Sequence, residues 1–155
     1  MEGFNLKKIK SFEVDHRKIK RGMYISRIDG NITTYDIRMV IPNSGDYLEN
    51  DGLHTFEHLF ATFMRNSDYS KNVVYVGPMG CRTGFYLLMK DTADEIAINL
   101  VKNAMDFISE YNGDVPGATE KECGNYKEHN LEKAWSYAKT MRNVLKNYNV
   151  EMLKY

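Results

Sequence analysis

The segment from residue 50 to about residue 66 most constrains the fold, because it places an apolar stripe and a pair of histidines on one predicted helix. Its apolar side chains recur three and four residues apart, as they do on the buried side of a helix: Leu53, Phe56, Leu59, Phe60 and Phe63. Asn50 or Asp51 can cap its start. His54 and His58 are four residues apart and so lie one turn apart on one helix face.

Two imidazoles one helical turn apart can bind a single metal ion, and Glu57 lies between them in sequence. A carboxylate there suits a base for a metal-bound oxygen, or a hydrogen-bond partner of a ligand histidine. The alternative is a pair of surface histidines beside a solvated glutamate. The pattern H-x-x-E-H is also typical of inverzincin zinc peptidases. We therefore predict a metal site on this helix.

A catalytic metal usually has three protein ligands and one open position. Candidates for the third ligand are Cys123, Cys81, His16, His129 and several acidic residues. Cys123 precedes the last predicted helix, where it is either a ligand or a small buried apolar residue. Cys81 lies in a glycine-rich turn that suits a nucleophile or an acid–base group, and a turn cysteine without function fits this position equally well.

The order of predicted elements indicates an α+β fold. Strands are predicted at 23–27, 32–41, 73–76 and 85–89, and helices at 50–66, 92–111 and 127–148; residues 1–21 are expected to be irregular, with a possible short strand. This order favours an antiparallel β-sheet with helices packed on one face, a two-layer sandwich, in a single domain over residues 1–155. The uncovered sheet face predicts a homodimer.

Charge and composition narrow the classes of partner. Lys plus Arg and Asp plus Glu are both 21, so the formal net charge is zero and gives no reason to expect nucleic acid or an anionic membrane as partner. No stretch is apolar enough for a signal peptide or a membrane span. We therefore expect a cytoplasmic protein whose two cysteines stay reduced.

Several blocks of sequence occur in an order that resembles one enzyme family. The blocks are Ser11-Phe12-x-Val14-Asp15-His16, Tyr35-Asp36-Ile37-Arg38, Pro42-Asn43, His54-Thr55-x-Glu57-His58-Leu59, Pro78-Met79-Gly80-Cys81-Arg82-Thr83-Gly84-Phe85-Tyr86 and Cys123-Gly124. Together they resemble the S-ribosylhomocysteine lyase (LuxS) family over nearly the whole chain. That family cleaves the thioether of S-ribosylhomocysteine to homocysteine and 4,5-dihydroxy-2,3-pentanedione, the autoinducer-2 precursor, in the activated methyl cycle.

The resemblance implies a role for each matching residue. It implies one ferrous ion per subunit, often replaced by zinc in purified protein, bound by His54, His58 and Cys123. It implies Glu57 and Cys81 as the two catalytic bases. Three further residues are implied to hold the ribosyl part of the substrate: Ser11, His16 and Arg38. The family is homodimeric, with active sites at the subunit interface.

Two positions depart from the family pattern, and other functions compete with the lyase. Tyr75 and Gly77 stand where the family usually has Asp and Ser, which puts recognition of the homocysteine end in doubt. An inverzincin-type zinc metallopeptidase would use Glu57 to activate water and a downstream acid, Glu120 or Glu122, as ligand. A non-catalytic metal-binding module would need four protein ligands.

Overall fold

The computed structural model describes residues 3–155, and its centre is a four-stranded antiparallel sheet in the order β1-β2-β4-β3. The strands are β1 (Gly22–Asp29), β2 (Ile32–Arg38), β3 (Val73–Pro78) and β4 (Gly84–Lys90). β1 and β2 form a hairpin, and β4 pairs with both β2 and β3. The predicted antiparallel sheet is confirmed.

The helices cover one face of this sheet. They are α1 (Lys10–Glu13), α2 (Asn50–Asn66), α3 (Asp94–Glu110) and α4 (Leu131–Val144), with 3-10 turns at Ser70–Asn72 and Val150–Leu153. The α2 side chains Phe56 and Phe60 pack on Phe85 of β4, with ring centroids 5.0 and 6.1 Å apart. The α+β architecture is thus as predicted. None of the helices within residues 3–155 is both long and apolar enough to cross a membrane.

The alternation along β4 shows why this arrangement forms. Phe85, Leu87 and Met89 are at most 1% exposed and face the helices, whereas Tyr86 and Leu88 between them are only half-buried on the other face. A strand with period-two burial places one apolar row against a helical layer. The hydrophobic core therefore lies between the sheet and the three long helices.

Three predicted boundaries near the N-terminal half were wrong in detail. β2 ends at Arg38 rather than near residue 41, because the N–H groups of Met39 and Val40 donate to the Thr83 carbonyl at 2.8 and 3.0 Å. Glu49, rather than either residue predicted, is the N-cap residue of α2. The possible short strand before β1 is replaced by the single turn of α1. Residues 1 and 2 of that predicted segment lie outside the described residues.

The last helix is shorter than predicted at both ends. α4 begins at Leu131 instead of residue 127, and the side chain of Asn130 caps it by accepting from the N–H of Lys133 at 3.0 Å. The helix ends at Val144 instead of residue 148. The residues released at its start form a long loop, 111–130, that passes over the histidines of α2.

Candidate active site

The side chains of His54, His58 and Cys123 converge at one point on the surface of α2. Cys123 Sγ lies 3.4 Å from His54 Nε2 and 3.9 Å from His58 Nε2. Tetrahedral metal–sulfur and metal–nitrogen bond lengths imply sulfur–nitrogen separations of about 3.5 Å. The three donor atoms therefore fit a metal ion, and one residue more, His129, lies in the same group of atoms within 4.8 Å of one another.

Backbone carbonyls of the 111–130 loop orient both histidine rings. His54 Nδ1 lies 2.8 Å from the Glu128 carbonyl, and His58 Nδ1 lies 2.8 Å from the Pro116 carbonyl. A carbonyl only accepts, so each Nδ1 must carry the hydrogen, and in the neutral ring each Nε2 then presents its lone pair. This is the tautomer that a metal ligand needs, and it is set by the fold before any ion binds.

The same loop supplies the thiol and shapes the space beside it. The Asn125 N–H donates to Cys123 Sγ at 3.4 Å and so helps to orient the sulfur. Gly117 adopts φ +71°, and a Cβ there would lie 3.3 Å from His58 Nδ1. Glycine is therefore required for the loop to approach the ligand ring.

His129 lies beside the ligands in an orientation that does not suit coordination. Its ring stacks on that of His54, with centroids 4.0 Å apart and planes 23° apart. Imidazole lone pairs lie in the ring plane, so two nearly parallel rings cannot both aim at one ion. Burial, followed by His54 and His58, lowers the pKa of His129 to about 4, so the ring is neutral. The ring orientations therefore favour His54, His58 and Cys123 over His129 as metal donors.

Two further features of α2 bear on this site. Glu57 is half-buried on the same helix, one residue from His58. Thr55 is fully buried, accepts from the Asn130 N–H at 2.8 Å and bonds His129 Nδ1 at 2.9 Å. α2 thus carries the two histidines, the Glu57 carboxylate and the Thr55 hydroxyl that positions His129.

Cys81 is presented by the tight turn between β3 and β4. The turn is closed by the Arg82 N–H, which donates to the Met79 carbonyl at 3.0 Å, and Arg82 itself adopts φ +60°. Cys81 is exposed, and its Sγ lies 3.1 Å from Thr83 Oγ1. Arg38 Nη1 donates to the same Thr83 oxygen at 2.9 Å. Because Arg38 can only donate, the Thr83 hydroxyl is free to point its own hydrogen at the Cys81 sulfur.

A buried ion pair stands behind Thr83. Arg38 and Asp36 are 3% and 1% exposed, and Arg38 Nε and Nη2 donate to the two carboxylate oxygens at 3.1 and 2.6 Å. Burial opposes the charge of Arg38, but the hydrogen bonds and charge of Asp36 outweigh it and raise the pKa of Arg38. Bidentate pairing of this kind fixes the guanidinium plane.

Of the predicted substrate-binding residues, two meet Cys81. His16, Arg38, Cys81 and Thr83 line one cavity of about 360 Å³. His16 Nδ1 donates to the Val14 carbonyl at 2.9 Å, which fixes the orientation of the ring. Ser11, on α1, instead lines a cavity of about 450 Å³ on the outer sheet face.

The metal ligands and the Cys81 group are separate within one chain. A cavity of about 680 Å³ is lined by Glu128, His129 and Arg82 among others, whereas none of His54, His58 and Cys123 lines it. Among the residues that the structure describes, it shares no lining residue with the cavity of Cys81. We refer to His54, His58 and Cys123 as the metal half-site, and to Cys81 with Thr83 and Arg38 as the Cys81 half-site. None of the three residues of the metal half-site lines the cavity of Cys81.

Tyr75 and Gly77, the two positions that depart from the family pattern, are in close contact with each other. Tyr75 is 52% exposed on β3 and lines the outer-face cavity with Ser11. A Cβ at Gly77 would overlap the Tyr75 hydroxyl. The absence of a side chain at Gly77 thus makes room for the phenol of Tyr75.

Four polar residues that support the two half-sites were not predicted: Asp36, Thr55, Thr83 and Tyr155. Asp36 and Thr83 each stand two residues from a predicted site residue, and period-two alternation of a strand could have placed Asp36 on the face of Arg38. Thr55 and Tyr155 contact residues more than 70 positions away, which no local pattern indicates.

Comparison with known proteins gives one consistent result. A family model described as S-Ribosylhomocysteinase (LuxS) matches residues 9–151. A protein of Finegoldia magna, described as S-ribosylhomocysteine lyase, is 44% identical over 97% of this chain and 99% of its own length. Proteins of the same description from Borreliella burgdorferi and Phocaeicola vulgatus are 44% and 45% identical, over 97% of this chain and 99% and 98% of their own lengths.

Proposed function

The chain belongs to the S-ribosylhomocysteinase (LuxS) family, and we propose that it cleaves S-ribosylhomocysteine with a metal held by His54, His58 and Cys123. It is a carbon–sulfur lyase, and its products are homocysteine and 4,5-dihydroxy-2,3-pentanedione, the precursor of autoinducer-2. The observation that carries the proposal is the convergence of two imidazole nitrogens and one thiol at distances of 3.4 and 3.9 Å.

The substrate explains why two bases are needed. The thioether lies too far from the sugar aldehyde to be activated directly, so the carbonyl must move from C1 to C2 and then to C3. Each move takes a proton from one carbon and returns one to its neighbour; removal of the C4 proton then expels the sulfur from C5 as a thiolate. A divalent metal, when bound, supplies positive charge that stabilises negative charge on the sugar oxygens.

We assign the proton transfers to Glu57 and Cys81. Glu57 lies beside the metal ligands and takes protons on that side of the sugar. Cys81 acts from the other side as a thiolate, which the hydrogen of Thr83 and the charge of Arg38 stabilise. His16 and Arg38 hold the ribosyl hydroxyls beside Cys81, and Ser11 contributes from the outer sheet face.

We propose ferrous iron as the physiological metal, one ion per subunit, with zinc as its replacement in purified protein. The donor set supports this because imidazole binds both ions and one thiolate suits either. Both cysteines are free, a state that the reducing cytoplasm preserves, and we place the protein there.

We further propose that two chains complete each active site. Within one chain none of His54, His58 and Cys123 lines the cavity of Cys81, and a partner chain would bring the two groups together. The uncovered sheet face and the segment before it expose many large apolar side chains, as a dimer interface would: Phe4, Leu6, Ile9, Phe12, Ile28, Val74 and Tyr75.

The test of the activity is release of a free thiol. Protein purified without oxygen and loaded with iron is incubated with S-ribosylhomocysteine, and homocysteine is detected with a disulfide reagent. Thiol should appear with the loaded protein and not after metal removal by a chelator. A metal-loaded sample that releases no thiol would overturn the proposal. The peptidase alternative is not favoured, because the donor group contains Cys123 rather than Glu120 or Glu122.

The test of the shared site is complementation between two inactive variants. His54→Ala and Cys81→Ala chains are unfolded together and refolded at equal amounts. If each site joins the metal ligands of one chain to Cys81 of the other, mixed dimers regain one intact site. About a quarter of wild-type activity should then return. If both half-sites came from one chain, the mixture would stay inactive.

A further inference from the structure

Tyr155 reaches the buried ion pair behind Cys81 from the far end of the sequence. Its hydroxyl donates to Asp36 Oδ2 at 2.6 Å. The same oxygen accepts from Arg38 Nη2, also at 2.6 Å. The Tyr155 ring is half-exposed, whereas Asp36 is 1% exposed, so only the hydroxyl end of the phenol enters the interior. Tyr155 thus gives a buried carboxylate a third hydrogen bond.

The segment that carries Tyr155 is fixed to the first strand. The Tyr148 hydroxyl accepts from the Met23 N–H at 3.0 Å and donates to the Met23 carbonyl at 2.6 Å. Leu153 is 1% exposed and belongs to the core. The Tyr155 ring stacks on that of Tyr24, with centroids 4.9 Å apart and planes 12° apart. Three separate contacts therefore set the position of the phenol.

The phenol is a donor at neutral pH. Burial, together with the charge and the hydrogen bond of Asp36, raises the pKa of Tyr155. A protonated phenol beside a carboxylate must donate, so the direction of this bond is fixed. From Tyr155 the bonds then run through Asp36, Arg38 and Thr83 to the sulfur of Cys81.

We propose that Tyr155 is a positioning residue for the reaction at Cys81, because its hydroxyl fixes Asp36 and Asp36 holds Arg38 against Thr83. This inference rests on the proposed roles of Cys81 and Arg38. Without the hydroxyl, a buried carboxylate oxygen loses one donor. Asp36 must then draw closer to Arg38 or admit water, and either change moves the guanidinium away from Thr83.

The experiment separates the hydroxyl of Tyr155 from its ring. Tyr155→Phe keeps the stack on Tyr24 and removes the hydroxyl, whereas Tyr155→Ala removes both. Tyr24→Phe is the matched control. It removes the other phenol hydroxyl of the same stack, and that hydroxyl donates only to the Lys20 carbonyl at 2.9 Å. Two quantities are measured on metal-loaded protein: kcat and KM for thiol release, and the rate at which iodoacetamide alkylates Cys81, followed by mass spectrometry of its peptide.

Tyr155→Phe should lower kcat by about three- to tenfold and leave KM within about twofold. Alkylation of Cys81 should slow by a similar factor, and the control should match wild type in both quantities. Wild-type values in Tyr155→Phe would overturn the inference, and so would a loss confined to Tyr155→Ala, since the ring alone would then matter. Failure of the unaltered protein to release thiol would overturn the proposed function instead, while the alkylation rates would still test Tyr155.

Discussion

The metal half-site is oriented by backbone carbonyls, whereas the Cys81 half-site is oriented by side chains. The rings of His54 and His58 donate to the carbonyls of Glu128 and Pro116. Cys81 instead depends on the hydroxyl of Thr83 and on the ion pair behind it. A backbone carbonyl remains available as an acceptor when the side chain of its residue is replaced, provided that the loop keeps its conformation. The geometry of the metal half-site should therefore resist point changes in its supporting residues, and that of the Cys81 half-site should not.

The two cysteines of the chain offer the strongest test of this division, because each belongs to one half-site. Cys123→Ala removes one of the three proposed ligands, and two histidines alone do not make a tight site. We expect the bound metal to fall from one ion per chain to nearly none, and turnover to disappear with it. Metal analysis by mass spectrometry after dialysis, joined to the thiol-release assay, measures both. Full metal content in Cys123→Ala would remove this residue from the ligand set.

Cys81→Ala is the counterpart in the other half-site. It should retain one metal ion per chain, because the cavity that Cys81 lines includes none of the three proposed ligands. Turnover should fall by about 10²- to 10⁴-fold, the usual contribution of one acid–base group. Loss of metal together with activity would show that the two half-sites are not independent.

The same division decides what could be predicted from the sequence. The helical spacing of His54 and His58 and the turn around Cys81 are local patterns, and both were recognised. The resemblance supplied Cys123, for which spacing alone left alternatives open. Carbonyl acceptors have no side-chain signature, so neither the role of Glu128 nor the later start of α4 could be foreseen. That helix starts at Leu131 because the preceding residues are used to contact α2.

Contacts between residues far apart in the chain also could not be predicted from sequence patterns. Period-two alternation predicted β2 correctly apart from its end, where two N–H groups turn to the Thr83 carbonyl. The contact between Tyr155 and Asp36 joins residues 119 positions apart. Only the folded chain brings such residues together, because neither position carries a local signal for the other.

Gly117 supports the metal half-site at a position where an added side chain should weaken metal binding, and Gly117→Ala tests this. An added Cβ would lie 3.3 Å from His58 Nδ1, and φ +71° disfavours any L side chain by about 1–2 kcal/mol. We expect zinc affinity to weaken by about 10- to 100-fold, as when a ligand histidine loses its partner. Competition with a coloured chelator measures it. Gly113→Ala is the control, since φ there is also positive but the nearest atom to a Cβ is the Tyr111 hydroxyl at 3.8 Å.

The affinity of Gly113→Ala should stay at the wild-type value, and Cys81 alkylation should be unchanged in both variants. Equal weakening in the two glycine variants would mean that backbone strain anywhere in the loop, rather than contact with His58, controls the metal.

Thr83→Val is expected to have the smallest effect of these changes. It tests the Cys81 half-site, where the reactivity of Cys81 should change and the zinc affinity should not. Valine keeps the shape but removes the acceptor for Arg38 Nη1 and the donor for Cys81 Sγ. A hydrogen bond to a charged group is worth about 1.5–3 kcal/mol, but water can replace part of it at the exposed Cys81. We therefore expect alkylation of Cys81 and kcat to fall by about tenfold, with zinc affinity unchanged.

Thr92→Val is the matched control for that substitution, because the Thr92 hydroxyl donates to the Lys90 carbonyl at the surface, away from both half-sites. It should leave alkylation, kcat and zinc affinity at wild-type values. If Thr83→Val instead weakened zinc binding as strongly as Gly117→Ala, the Cys81 turn and the proposed ligands would be coupled. Since none of the proposed ligands lines the cavity of Cys81, that coupling would have to pass through the core under α2 or across the proposed dimer interface. Repeating the measurement on complemented mixed dimers, with Thr83→Val confined to the chain that lacks functional ligands, would separate these two routes.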